Sequence, residues 1–321
     1  MSTDKMFKIG LIDLDTSHPV CWVPIIKTYE DMKVVAVYDS GEVNPRSYVD
    51  AFARTNEIEK VVDNPEEMVP LIDAVIIFSA NWDVHIDRAE PFIKAGKPVL
   101  IDKPIVGKLS EINRLIELHQ KYPDVPIMGG SSLRFASEIV ELKKQKVEFG
   151  AISFGFASGR GDFFSYGIHT IEMFQGFFGG GVQSVKYLGE RKDLSYEVPG
   201  NERGLVFEAV YTDGTIVIYQ LCAPSSEWFF AITTEKGVKT VVPDQSKLFP
   251  PIIEKFHEMI ITKKPPVPLS ELLECVKVQL AGKLSRETNQ IVYLDRLEYD
   301  NGFDGKAYAY QYRQGKWKGK Y

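Results

Sequence analysis

Over the first 128 positions the apolar residues come in short unbroken runs rather than in alternation. Phe7 to Ile12, Lys33 to Tyr38, Ala74 to Phe78, Pro98 to Ile101 and Val125 to Met128 are such runs. A run of this length bounded by turn residues fits a strand buried on both faces. Helical stretches separate them: one ending near Glu30, one from about His85 to Ala95 that Gly96 stops, and one that Ser110 can cap, with Ile112, Leu115, Ile116 and His119 on one face. Strand-helix-strand units joined by short loops predict a doubly wound parallel sheet with right-handed crossovers.

From Gly129 the texture changes to aromatic and β-branched runs separated by turns. These are Ala151 to Ala157, Ser184 to Leu188, Leu205 to Tyr211, Thr215 to Leu221, Trp228 to Thr234 and Val238 to Val242, with Asp213-Gly214 and Lys236-Gly237 as hairpin turns. An open antiparallel sheet is expected, flanked by helices over residues 165–178, 251–261 and, after the Pro265-Pro266 break, 269–286. In the tail from Phe303 to Tyr321 the tyrosines at 308, 310 and 312 repeat every second residue, which predicts an edge strand with one aromatic face and a solvated basic face. The expected fold is α/β, with a parallel-sheet domain over residues 1–128 and an α+β domain on the antiparallel sheet over 129–321.

Composition narrows the function classes. The 321 residues are 44% hydrophobic and 26% charged, as in an ordinary globular protein, and the net charge of −6 argues against general affinity for nucleic acid or an anionic membrane. Cys21, Cys222 and Cys275 are odd in number, far apart and set in apolar sequence, so they read as reduced packing residues. No apolar run nears the roughly 18 residues needed to span a bilayer, and no secretory leader pattern opens the chain. A cytoplasmic location is expected.

The chemistry concentrates where strand ends meet loops. Asp102-Lys103-Pro104 follows the run ending at Ile101, which puts a lysine at the carboxyl edge of a parallel sheet, where open α/β sheets bind ligands. The loop Ser79-Ala80-Asn81 closes the neighbouring run. Gly167-Ile168-His169 sits on an apolar helix of the second half. His85 reads as a helix-start residue, and His119 and His257 as packing residues.

These motifs, taken in order, resemble the glucose-fructose oxidoreductase and inositol dehydrogenase family (Gfo/Idh/MocA). The matching segments are Ser79-Ala80-Asn81 with His85, Ala95-Gly96-Lys97-Pro98-Val99 before Asp102-Lys103-Pro104, Gly167-Ile168-His169, and Phe256-His257-Glu258-Met259-Ile260 with the Pro-rich break. The resemblance implies a Rossmann domain, a substrate domain, and a nicotinamide cofactor with a sugar, cyclitol or related polyol held between them. It implies Lys103 and His169 as the catalytic pair. On the cofactor side it points to Asp15, Thr16, Asp39, Ser79, Asn81 and Lys103; on the substrate side, to Arg134, Ser165 and Glu172. Asp39 at the end of the second run favours NAD over NADP, since an acidic side chain accepts from ribose hydroxyls and repels a 2′-phosphate. A homodimer or homotetramer is expected, because an antiparallel sheet with one bare face tends to need a partner.

The departures from the family pattern set the alternatives. Where the dinucleotide fingerprint has three glycines the chain has Asp13, Asp15 and His18, and two carboxylates facing a diphosphate would repel it unless they turn away, bind a cation or become protonated. A metal held by these three is not expected, because short spacings of this kind more often reflect turns and caps. Pro24 suggests a helix that starts after Pro19, near Cys21, and a long loop from Asp13 to Val20. Ser165 stands where the family has an aspartate, with Asp162 and Glu172 near enough to substitute. The other readings are a ligand-binding relic of the same fold, and non-redox chemistry on a retained nicotinamide.

Overall fold

The computed structural model describes residues 5–191, 203–298 and 300–317. It divides into two compact units: residues 1–129, 252–269 and 303–321 form the first, and residues 130–251 and 270–302 the second.

The first unit contains a six-stranded parallel sheet. Its strands are β1 (Phe7–Ile12), β2 (Met32–Tyr38), β3 (Lys60–Val62), β4 (Ala74–Ile77), β5 (Val99–Asp102) and β6 (Ile127–Gly130), in the order β3-β2-β1-β4-β5-β6. Four helices fill the crossovers: α1 (His18–Ile26), α2 (Arg46–Asn56), α3 (His85–Lys94) and α4 (Leu109–Lys121). The continuous apolar runs are explained by burial, since Ile9, Leu11 and Ile12 of β1 and all four residues of β4 are sealed on both faces. Gly10 admits a close layer above β1: a Cβ there would lie 2.3 Å from Met68 Cε and 2.7 Å from Ile72 Cδ1. The strand order reverses direction between β1 and β4, and their carboxyl ends flank the crevice in which such sheets bind ligands.

The second unit is built on α5 (Ser137–Lys144), β7 (Ile152–Ser158), α6 (Gly167–Phe178), β8 (Val182–Gly189), β9 (Leu205–Tyr211), β10 (Ile216–Leu221), β11 (Phe229–Thr234) and β12 (Gly237–Val241). The later elements of the chain are α7 (Phe249–Thr262), α8 (Leu269–Thr288), the short β13 (Val292–Tyr293) and α9 (Gly305–Trp317). The second sheet runs β12-β11-β7-β10-β9-β8-β13. It is antiparallel except where β7 lies parallel to β10. Alternation decides its faces: Val217, Tyr219 and Leu221 point into the core under α6, where Tyr219 meets Phe174, while Ile216, Ile218 and Gln220 point outward.

Three expectations are corrected. The chain does not divide into one contiguous stretch on each side of residue 128, because 252–269 and 303–321 rejoin the first unit. In α7 the apolar residues Ile252, Ile253, Phe256, Met259 and Ile260 are buried, and His257 on the same helix reaches Asp31 at 2.9 Å and packs on Tyr29. The tail expected as a strand is helix α9 through residue 317, and Tyr321 lies outside the described residues. In a helix Tyr308 and Tyr312 share a face at i and i+4, packed with Ala309 against Val43 and Ala80, and Tyr310 is left 65% exposed. Finally, α1 starts at His18 rather than near Cys21, with Pro19 in its first turn, where a missing N–H costs nothing. Pro24 lies inside this helix, and the loop ahead of it shortens to Asp13–Ser17.

Candidate functional site

The carboxyl ends of β1 and β2 carry three acidic residues whose oxygens approach within 4.8 Å of one another: Asp13, Asp15 and Asp39. Asp13 follows β1 with φ 57°, the left-handed conformation a glycine would adopt there, so the tight turn survives the substitution. Its carboxylate turns inward, accepting from Ser40 N at 2.7 Å and from Ser79 Oγ at 2.5 Å. Asp15 is fully buried and accepts from Ala80 N at 2.8 Å and, more distantly, from Asn44 Nδ2. Asp39 accepts from Leu14 N and Gly41 N. Burial, with the Asp13 charge next to it, pushes the Asp15 carboxyl well above its ordinary value, and the same two causes raise Asp39.

The remaining expected cofactor-side residues belong to the same edge. Thr16 Oγ1 accepts from His18 N, and Asn81 caps the short turn after β4 by accepting from Asp83 N while its amide nitrogen bonds Glu42. His85, on α3, spans two loops: its ring nitrogens meet Ser79 O at 2.9 Å and Ile105 O at 3.1 Å. It therefore acts as a strut between the loops that follow β4 and β5.

At the end of β5 the half-buried Lys103 donates its N–H to Asp102 Oδ1 at 2.7 Å and precedes Pro104 through a cis peptide bond. Asp102 Oδ2 lies 2.7 Å from His18 Nδ1, and the His18 ring stacks on Trp22 at 4.9 Å. Burial would raise the Asp102 carboxyl, but His18 and Lys103 together hold it below its ordinary value, so it stays ionised. The residue at the third glycine position thus pairs with the residue before the lysine. The 84 positions between them hide this pairing from the sequence, where its signal is a histidine at a helix start in a chain with Asp-Lys-Pro at a strand end.

In the second unit His169 stands on α6 with Nδ1 2.5 Å from Ser131 Oγ, which also accepts from Leu133 N. Tyr166 and Trp228 flank its ring, and Arg160 lies over Trp228 at 4.9 Å. Gly159 permits the close packing here, since a Cβ would meet Thr170 Oγ1 at 2.0 Å and Trp228 Nε1 at 2.9 Å. Among the described residues, buried Nε1 of Trp228, Oγ1 of Thr170 and Nε of Arg160 have no hydrogen-bond partner in the protein.

Asp162 and Glu172, the two candidates to replace the family's aspartate, are turned to other tasks. Asp162 accepts from Ser165 N, Ser165 Oγ and Phe164 N, forming the turn into α6, which begins at Gly167 rather than at Ser165. Glu172 pairs with Arg134, whose guanidinium also reaches Glu271 at 2.5 Å and Cys275 Sγ at 3.1 Å. Both Arg134 and Glu172 are almost completely buried. Burial alone would lower the Arg134 pKa, but Glu172 and Glu271 hold it raised, while burial raises Glu172 against the pull of Arg134. This is an internal ion network that ties the 3-10 turn at Ser132–Phe135 to α6 and α8.

Comparison with known proteins places the first unit. Residues 8–129 match the family described as oxidoreductase family, NAD-binding Rossmann fold. Myo-inositol 2-dehydrogenase of Thermotoga maritima is 30% identical over 146 residues, 45% of this chain; the match spans only 40% of that relative's length. Among solved structures, a probable dehydrogenase from Thermotoga maritima superposes with a TM-score of 0.80 at 19% identity, covering 90% of this chain and 99% of that one. Myo-inositol dehydrogenase from Lactobacillus casei, in complex with NAD(H) and myo-inositol, gives 0.80 at 15% identity, covering 92% and 99%. At these identities the structural likeness establishes the fold.

A dinucleotide can be tested against this edge. The tight turn after β1 is kept by Asp13, and the carboxylates of Asp13 and Asp15 are turned into the protein and satisfied by its own donors, so they do not face a diphosphate. Asp39 closes β2 at the position suited to a ribose. The residues fit the group. Over the same loops, however, lies α9: Lys316 Nζ donates to Asp15 O at 2.9 Å and to Asn44 Oδ1 at 2.8 Å.

Proposed function

We propose that the chain, whose residues 8–129 match the Gfo/Idh/MocA oxidoreductase family with an NAD-binding Rossmann fold, is an NAD-dependent oxidoreductase of a cyclitol, sugar or related polyol. The observation that carries the proposal is Lys103 at the carboxyl edge of the doubly wound sheet, following an ionised Asp102 paired to His18. A nicotinamide bound at this edge supplies the hydride acceptor or donor. In the proposal the Lys103 ammonium stabilises the developing alkoxide, and the imidazole of His169, steadied by Ser131, carries the hydroxyl proton. Asp15, Thr16, Ser79 and Asn81 shape the loops of the cofactor edge, and Asp39 favours NAD over NADP.

A hydroxyl-rich substrate is supported by the partnerless donors around His169, because a buried polar group left unpaired costs stability until something bonds it. Arg160, Thr170 and Trp228 are the proposed substrate-facing groups, with Ser165 in the turn beside them. Arg134 and Glu172 support this corner through their mutual pair. Two of the three free cysteines are buried, which suits a reducing, cytoplasmic setting. Among the described residues no helix is long and apolar enough to cross a membrane.

The test is a panel of inositol stereoisomers and sugars with NAD+, read by reduced-nicotinamide absorbance. Turnover of at least one polyol is expected, and Lys103→Met should lower kcat by about 100-fold to 1,000-fold while NAD+ binding persists. A Lys103→Met protein with undiminished turnover would refute the assignment. The helix over the cofactor edge favours one second reading, a ligand-binding relic, which saturable NAD+ binding without turnover of any polyol would support.

A further inference from the structure

Helix α9 covers the half of the nucleotide edge that adenosine diphosphate would need. Its apolar face, Tyr308, Ala309 and Tyr312, packs on Val43 and Ala80, and Tyr308 lies 4.9 Å from the Trp82 ring. Its polar end is fixed to backbone and side-chain groups that follow β1 and β2. Lys316 Nζ donates to Leu14 O, Asp15 O and Asn44 Oδ1 and lies 4.7 Å over the Tyr48 ring, and Arg313 donates to Glu42 O at 3.3 Å. The residues so covered follow β1, β2 and β4, the three strand ends between which a doubly wound sheet takes the adenosine side of a dinucleotide.

We propose that α9 is a self-occluding segment: it occupies the adenosine subsite of the first unit and must withdraw before a dinucleotide binds. This rests on the cofactor reading given above. Helix and nucleotide claim the same groups, namely Val43 and Ala80 as apolar walls and the backbone of Leu14 and Asp15 as floor. The attachment is also divided in a way that permits withdrawal. The start of the helix is anchored independently, through Trp82 Nε1 to Phe303 O at 2.9 Å and through Gly305 N and Lys306 N to Asp83 Oδ2, while the far end depends on Lys316, Arg313 and a small apolar cluster. When a competent state is populated only in part, the apparent dissociation constant rises by the inverse of that fraction.

The experiment measures NAD+ binding by calorimetry to the full chain, to Lys316→Ala, to Ala309→Glu and to a chain ending at Asp304, each first shown to melt cooperatively. Ala309 is fully buried in the cluster, so a glutamate there should expel the helix without touching the nucleotide floor. The opened proteins should bind NAD+ about tenfold or more tightly than the full chain. In the full chain, saturating NAD+ should speed amide exchange over residues 305–317 while slowing it over 13–17. Equal affinity in all four proteins overturns the occlusion and leaves the cofactor reading standing; weaker affinity in the opened proteins overturns it by making α9 a clamp. No binding to any of them overturns both.

Discussion

Asp15 carries a cost that its neighbours only partly offset. Its carboxyl is fully buried beside Asp13 and Asp39, and burial with these charges raises its pKa well above the ordinary 3.8. Between 3.8 and the raised value the folded chain holds a proton that the unfolded chain has released, so stability falls as pH climbs through that window. Asp15→Asn keeps an oxygen for Ala80 N and removes the charge. This variant should be at least as stable as the natural chain at pH 7 and should lose part of the decline between pH 4 and pH 7, as read from urea midpoints. A variant that is less stable at pH 7, with the decline intact, would show that the Asp15 charge is held by more than it repels. Residue identities of this kind could be read from the chain, whereas their partners could not. Arg134 and Glu172 were both singled out for a substrate, yet a separation of 38 positions hid that they bond each other. Lys103 was placed by pattern alone, because a strand end fixes its own last residue.

Elements were readable where one period dominated. Unbroken apolar runs gave the parallel strands, and alternation gave β9 and β10. The tail failed for a physical reason: three tyrosines at every second position satisfy a strand, but two of them four apart also satisfy a helix, and Ala307, Ala309 and Gln311 favour the helix. Helix α1 starts earlier than expected because Pro24, expected in the first turn, is accommodated inside the helix, while Pro19 takes the first turn. Helix α7 yields a direct check of element packing. Phe256 is fully buried, so Phe256→Ala should destabilise by about 3–5 kcal/mol through lost burial and the cavity left behind. Denaturant unfolding measures it, and a loss below about 1 kcal/mol would mean that the helix does not depend on that contact.

At the scale of the whole molecule, the outward face of the second sheet is rich in apolar side chains. Phe154 is 36% exposed, and Phe156, Ile216, Ile218, Val210 and Phe229 are half-buried on the face opposite Tyr219 and Phe230. An apolar surface of this breadth on a sheet suits self-association, and we propose a homodimer or homotetramer joined there. Sedimentation should show a multiple of 36.3 kDa. Ile218→Lys with Phe156→Lys should shift it toward the single chain, and an unshifted mass would place the joint elsewhere.

The division of the chain between its units has a consequence for how it is made. The parallel sheet is complete by Gly130, yet α7 and α9 belong to the same unit and come more than 100 residues later. At about 5–20 residues per second, a ribosome leaves the early sheet waiting on the order of ten seconds for its last layers. Over that interval the surface that α7 will bury is bare, and it is there that a holding chaperone would find this nascent polypeptide.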